Sequence, residues 1–181
     1  MIDASATRVS LLKPENGPAM QFFAGRQFRD YFSAQASYGW NSNDVAFTGT
    51  SFAGGRETTF EQARSSRQNS AGGDAMIYFR PRTSRLRPYL SGGAGVVHLS
   101  STAGRTLIAK GSPILPAEKF SHTNVYWRTT VGMDVRLAGG WWFRYSFFET
   151  LSNNGLSSEL APPGQRRLLN FQSQFGIFRT F

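Results

Sequence analysis

The chain has 181 residues, 40% of them hydrophobic, a formal net charge of +9 and a mean hydropathy of −0.34. That length suits one domain spanning residues 1–181, and no run of about 18 apolar residues is present, which excludes a helical membrane protein. Zero Cys excludes disulfide frameworks, cysteine metal sites and thiol nucleophiles.

In chain order, Met-Ile-Asp-Ala-Ser-Ala-Thr-Arg has no basic segment followed by an apolar one, so it does not read as a secretory signal. If the protein is exported, the signal is expected upstream of this start or already removed. A first strand is predicted over 7–13, turning at Pro14-Glu15-Asn16-Gly17 into a second over 19–26. After a turn at 27–30 comes a third strand over 31–47. In it Phe32, Ala34, Ala36, Tyr38 and Trp40 alternate with Ser33, Gln35, Ser37, Gly39 and Asn41. A period of two places these sets on opposite faces of a sheet. A loop over 49–57 holds Gly54-Gly55, and a fourth strand covers 59–80. Its first half reads as polar on both faces; later Ala75, Ile77 and Phe79 alternate with Asp74, Met76, Tyr78 and Arg80.

A short turn at 81–86 leads to a fifth strand over 87–100, and a long loop to 102–122. The sixth strand, 124–137, alternates without a break. Val125, Trp127, Thr129, Val131, Met133, Val135 and Leu137 oppose Tyr126, Arg128, Thr130, Gly132, Asp134 and Arg136. A tight turn at Gly139-Gly140 precedes the seventh strand, 141–151, where Trp141, Phe143, Tyr145 and Phe147 oppose Trp142, Arg144 and Ser146. A long loop at 152–167 and a final strand at 168–181 complete the chain. About eight strands result, with long and short connections mostly alternating.

A soluble sandwich alternates too, but its apolar face interdigitates with a second sheet and favours Val, Ile and Leu. This chain has 16 Phe, 6 Tyr and 4 Trp, crowded near strand ends as in an interfacial aromatic girdle. The last strand carries Phe171, Phe175, Ile177 and Phe181 on one face and ends on Phe181. This ending resembles the C-terminal signal that the barrel-assembly machinery recognises in bacterial outer-membrane barrels. Arg87-Pro-Tyr-Leu-Ser-Gly-Gly-Ala-Gly-Val-Val resembles the PY-x-x-x-G-x-G strand of small barrels of the outer-membrane protein A type. Phe143-Arg-Tyr-Ser-Phe-Phe-Glu-Thr and Ala161-Pro-Pro-Gly-Gln-Arg-Arg-Leu-Leu-Asn-Phe-Gln resemble the end of outer-membrane β-barrel domain proteins from soil bacteria such as acidobacteria. The resemblance implies an all-β fold: a single closed, antiparallel, up-and-down transmembrane barrel of about eight strands in the outer membrane of a Gram-negative bacterium. It further implies a monomer assembled by the barrel-assembly machinery, with a structural or surface-interaction role.

In such a barrel the polar faces point inward. Arg80, Arg128, Arg136 and Arg144 are then expected to meet Asp74 and Asp134 in a lumen charge network, because an unpaired buried charge is costly. Eight strands enclose room for side chains only, so a plugged lumen rather than a general porin is expected. Loop cations such as Lys110, Lys119, Arg166 and Arg167 are candidates for contact with lipopolysaccharide phosphates.

Two other readings compete. Net +9 suits a soluble nucleic-acid binder, but such proteins put aromatics and cations on one face, whereas Arg144 opposes the Trp141, Phe143, Tyr145 and Phe147 face. A lipid A deacylase-like enzyme would need a His, a Ser and an acid facing lipid. His98, Ser100 and Glu149 are the candidates, and their spacing is no motif. No cofactor loop is expected, because Ser91-Gly-Gly-Ala-Gly leads into a strand rather than a helix. Two His without flanking acids suggest no metal site.

Overall fold

The computed structural model describes residues 7–14, 17–53, 56–111, 118–153 and 167–180. Within them the strands are β1 (Thr7–Pro14), β2 (Ala19–Gln27), β3 (Phe32–Ala53), β4 (Arg56–Tyr78), β5 (Leu86–Lys110), β6 (Lys119–Arg136), β7 (Trp141–Asn153) and β8 (Arg167–Arg179). From β3 to β8 each strand pairs antiparallel with the next in one sheet.

The start of the chain departs from expectation. The expected turn at 14–17 falls partly outside the described residues, and β1 and β2 do not form a hairpin, because both pair with β3. Thr7 to Pro14 lie against Phe52 to Val45, and Ala19 to Gln27 continue against Asn41 to Ser33. The Ser42 N–H donates to the Pro18 carbonyl at 3.1 Å, so the ladder resumes at once beyond the break. The cause is length: β3 has 22 residues and can seat both segments end to end. Pro14 is tolerated because an edge strand can spare a donor.

Eight strands therefore occupy seven positions, and the two edges, β2 and β8, run in the same direction. The sheet curls until Phe23 on β2 and Phe178 on β8 meet edge to face at 5.7 Å between ring centroids. Among the described residues no hydrogen-bond ladder joins those two edges.

Two expected loops are largely strand. Of the region 102–122, residues 102–110 belong to β5 and 119–122 to β6, and the Ala103 N–H donates to the Glu118 carbonyl at 2.7 Å. Of the expected 49–57 loop, residues 49–53 belong to β3 and 56–57 to β4. A 25-residue β5 extends about 80 Å, whereas a membrane crossing needs only about 9–11 residues. The first half of β4, read as polar on both faces, buries one of them. Phe60, Gln62, Arg64 and Ser66 are buried, with Phe47 6.0 Å from Phe60 and the Arg64 guanidinium 5.0 Å over the Phe120 ring.

Register converts the alternation into two surfaces. Phe32, Ile77, Leu90, Val131 and Phe147 form one hydrogen-bonded row across five strands, and all point outward and are exposed except for their mutual contact. On β7 and β8, Phe147 stacks on Phe171 at 6.1 Å and Tyr145 lies 5.1 Å from Phe175. The intervening residues point into the concave face, where Asp74, Arg128, Asp134 and Arg144 are buried.

Candidate functional site

The concave face is held together by two ion pairs whose geometry follows from register. Asp74, Gly93 and Arg128 are consecutive members of one cross-strand row on β4, β5 and β6. Arg128 must reach over β5 to meet Asp74, and a Cβ on Gly93 would overlap the Asp74 carboxylate. Glycine at 93 thus opens the path. The Arg128 Nε donates to Asp74 Oδ1 at 3.0 Å, one Nη donates to Oδ2, and the same Nη donates to the Ser37 hydroxyl at 2.9 Å. Tyr89 and Ser146 repeat the device, hydrogen-bonding at 2.7 Å across Gly132, where a Cβ would overlap the tyrosine ring.

Asp134 and Arg144 are direct neighbours on β6 and β7. Arg144 donates twice to the carboxylate, at 2.7 and 2.8 Å, and the Tyr78 hydroxyl adds a bond of 3.0 Å. Arg144 also donates to Gln35 Oε1 at 2.8 Å, and the Gln35 amide reaches Asp74 Oδ2 at 3.4 Å. The two ion pairs are thereby one network. The Phe23, Tyr89 and Phe178 rings surround the Arg144 guanidinium at 4.7–5.0 Å. Asp134 is 0% exposed, so its charge depends wholly on these partners.

Of the expected network, Asp74, Arg128, Asp134 and Arg144 come together, and two members do not. Arg80 is exposed, because β4 ends at Tyr78 and the turn breaks the alternation that put it inward. Arg136 points inward but donates to the Arg82 carbonyl and lies 4.8 Å over Trp142 instead of meeting a carboxylate. Gln35, Ser37, Tyr78, Tyr89 and Ser146 join Asp74, Arg128, Asp134 and Arg144 in the interior. Their phase on the polar face was the available signal, but neutral hydrogen-bonding groups do not announce partners as charges do.

Elsewhere, Lys110 pairs with Glu57 at 2.9 Å on the surface, Lys119 and Arg167 are exposed at strand ends, and Arg166 lies outside the described residues. His98 and Ser100 share the outward face of β5, where His98 Nδ1 bonds the Thr123 hydroxyl at 2.8 Å and Ser100 donates to the Arg67 carbonyl at 3.5 Å. Glu149 is not brought to them. It pairs with Thr129 whereas His98 pairs with Thr123, six positions along β6, or about 20 Å. Phe171, Phe175 and Ile177 are exposed on the outward face of β8, and Phe181 lies outside the described residues. Among the described residues no group of three or more His, Asp or Glu is placed to hold a metal.

A family model for the outer membrane protein beta-barrel domain matches residues 3–159 of the chain. No curated protein and no solved structure matches it.

Proposed function

The chain belongs to the outer membrane protein beta-barrel domain family, and from that premise we propose a structural, surface-interacting barrel of the bacterial outer membrane, non-catalytic and with a lumen plugged by side chains. One observation carries this reading. Asp74, Arg128, Asp134 and Arg144 are matched in one hydrogen-bonded network across four strands, β3, β4, β6 and β7, over the β5 glycine gap, while large apolar residues line the outside. Such a network rigidifies and fills a lumen, and an apolar exterior needs lipid to cover it.

Closure into an eight-position barrel belongs to the proposal, since every backbone group in lipid must find a partner. The long β3–β4 and β5–β6 hairpins would stand above the membrane. Lys110, Lys119, Arg166 and Arg167 then meet lipopolysaccharide phosphates, and the barrel-assembly machinery reads the C-terminal strand through Phe171, Phe175, Ile177 and Phe181.

The test has two parts. The folded protein should migrate differently from the boiled protein in detergent gels and give no large conductance steps in planar bilayers. A chain that remains soluble and monomeric without detergent would overturn the barrel. Lipid A from cells with and without the protein should have the same mass spectrum. Loss of an acyl chain that depends on His98 and Ser100 would replace the structural reading with a hydrolase. Reversing Lys110, Lys119, Arg166 and Arg167 to Glu should abolish retention on immobilised lipopolysaccharide, and unchanged retention would remove that contact.

A further inference from the structure

Three arginines gather where the sheet makes its short turns, and none of them meets a carboxylate. Arg87 is 4% exposed. Its guanidinium donates to Gln27 Oε1 at 3.2 Å, to the Asp30 carbonyl at 2.9 Å and to the Arg80 carbonyl at 3.5 Å. Arg82 donates to the Gln27 carbonyl at 2.7 Å, and Arg136 donates to the Arg82 carbonyl. Every acceptor is a neutral oxygen, and Asp30 offers only its backbone. The ion pairs among the described residues are Lys110–Glu57, Arg128–Asp74 and Arg144–Asp134, so the nearest interior carboxylate is already matched.

The three groups are linked through Gln27 and the Arg82 backbone; Arg82 and Arg136 repel Arg87, while Asp134, already paired with Arg144, attracts it without touching it. Aromatic faces partly offset that repulsion: Arg87 sits 3.8 Å over Tyr78 and Arg136 4.8 Å over Trp142. Arg82 and Arg136 each use one N–H in these bonds, of five that a guanidinium carries. All three line a cavity of about 810 Å³, with Gln27, Trp142 and Arg179 among its other walls.

We propose that this vestibule is a binding site for a phosphate-bearing anion, held by Arg82, Arg87 and Arg136 with Trp142 as its apolar wall. Planar guanidinium forks match phosphate oxygens in pairs. A bound phosphate anion would supply the direct counter-charge that no carboxylate provides to these three groups. In the outer-membrane reading the site opens on the periplasmic side, so the phosphate comes either free in solution or on a lipid headgroup of the inner leaflet. The recognition chemistry is the same for both.

The experiment uses the full chain folded in a non-ionic detergent without phosphate. Calorimetric titration with inorganic phosphate, and separately with micelles doped with phosphatidylglycerol or with phosphatidylcholine, is compared between wild type, Arg82→Gln, and Arg87→Gln/Arg136→Gln. Saturable binding of inorganic phosphate supports a free anion. Binding of phosphatidylglycerol alone supports the headgroup. In either case the double variant should lose about tenfold or more in affinity, and Lys110→Gln should lose none. No saturable binding of either probe by wild type, or equal binding by every variant, would overturn the proposal. Because Arg87 is buried, heat-dependent gel migration checks the folding of the double variant, and the exposed Arg82→Gln carries the test if that variant does not fold. The migration assay also separates failure of this site from failure of the barrel.

Discussion

Asp134 has the least freedom of any residue in the interior, with three hydrogen bonds from Arg144 and Tyr78 and no solvent. Replacing it by Asn strands the Arg144 charge among three rings, and breaking a buried pair costs about 3–5 kcal/mol. Asp134→Asn should lower the unfolding temperature in detergent by roughly 10 °C. Lys110→Gln removes a pair whose side chains are 64% and 38% exposed, and such pairs contribute about 0–1 kcal/mol. Equal shifts for the two variants would mean that Asp134 is solvated. At this scale strand phase made the network legible. Asp74, Arg128, Asp134 and Arg144 fall on polar faces by simple alternation, and charge predicts its own complement. Arg80 failed because phase holds only while the strand lasts. Arg87 was read within the Pro-Tyr-glycine strand pattern, which says nothing of where its guanidinium reaches.

Among the elements, β7, β8 and the part of β6 beyond Asn124 were the most legible, since there a largely apolar set alternates with a largely polar one. β8 closes its side of the sheet with Phe171 and Phe175 laid against Phe147, Tyr145 and Phe143. Phe175→Asp removes ring contacts of about 0.5–1.5 kcal/mol each and puts an acid on the lipid face. The variant should cut the heat-modifiable fraction recovered from outer membranes about fivefold or more, with the lost material degraded. Normal surface levels would overturn the proposed role of β8 in assembly. The β1–β2 break was illegible for a physical reason. Pro-Glu-Asn-Gly is good turn chemistry, but turn chemistry fixes only local backbone, and the length of β3 decides whether two short segments reverse or run on. The long hairpins were hidden because Gly and Pro punctuation suggested loops, while pairing with already ordered neighbours extended the strands.

For the whole molecule the decisive quantity is the parity of the sheet. Seven positions leave β2 and β8 pointing the same way, so they cannot pair antiparallel with each other. The gap between them opens a cavity of about 540 Å³ lined by both edges, including Met20, Phe22, Phe175 and Ile177. In hydrocarbon each unpaired N–H or C=O costs several kcal/mol, so an open seam is incompatible with insertion. Closure to an even eight would require Thr7–Pro14 to leave β3 and reverse into the seam, where it would give both edges an antiparallel neighbour, as in the outer-membrane barrels of bacteria. Hydrogen exchange of the protein in lipid nanodiscs reads this directly. Amides of β2 and β8 that point away from β3 and β7 should exchange as slowly as those within β5 if the seam is closed. Fast exchange confined to these two edges, with β4 to β6 protected, would mean that the protein works as an open sheet and that the eight-position barrel is wrong.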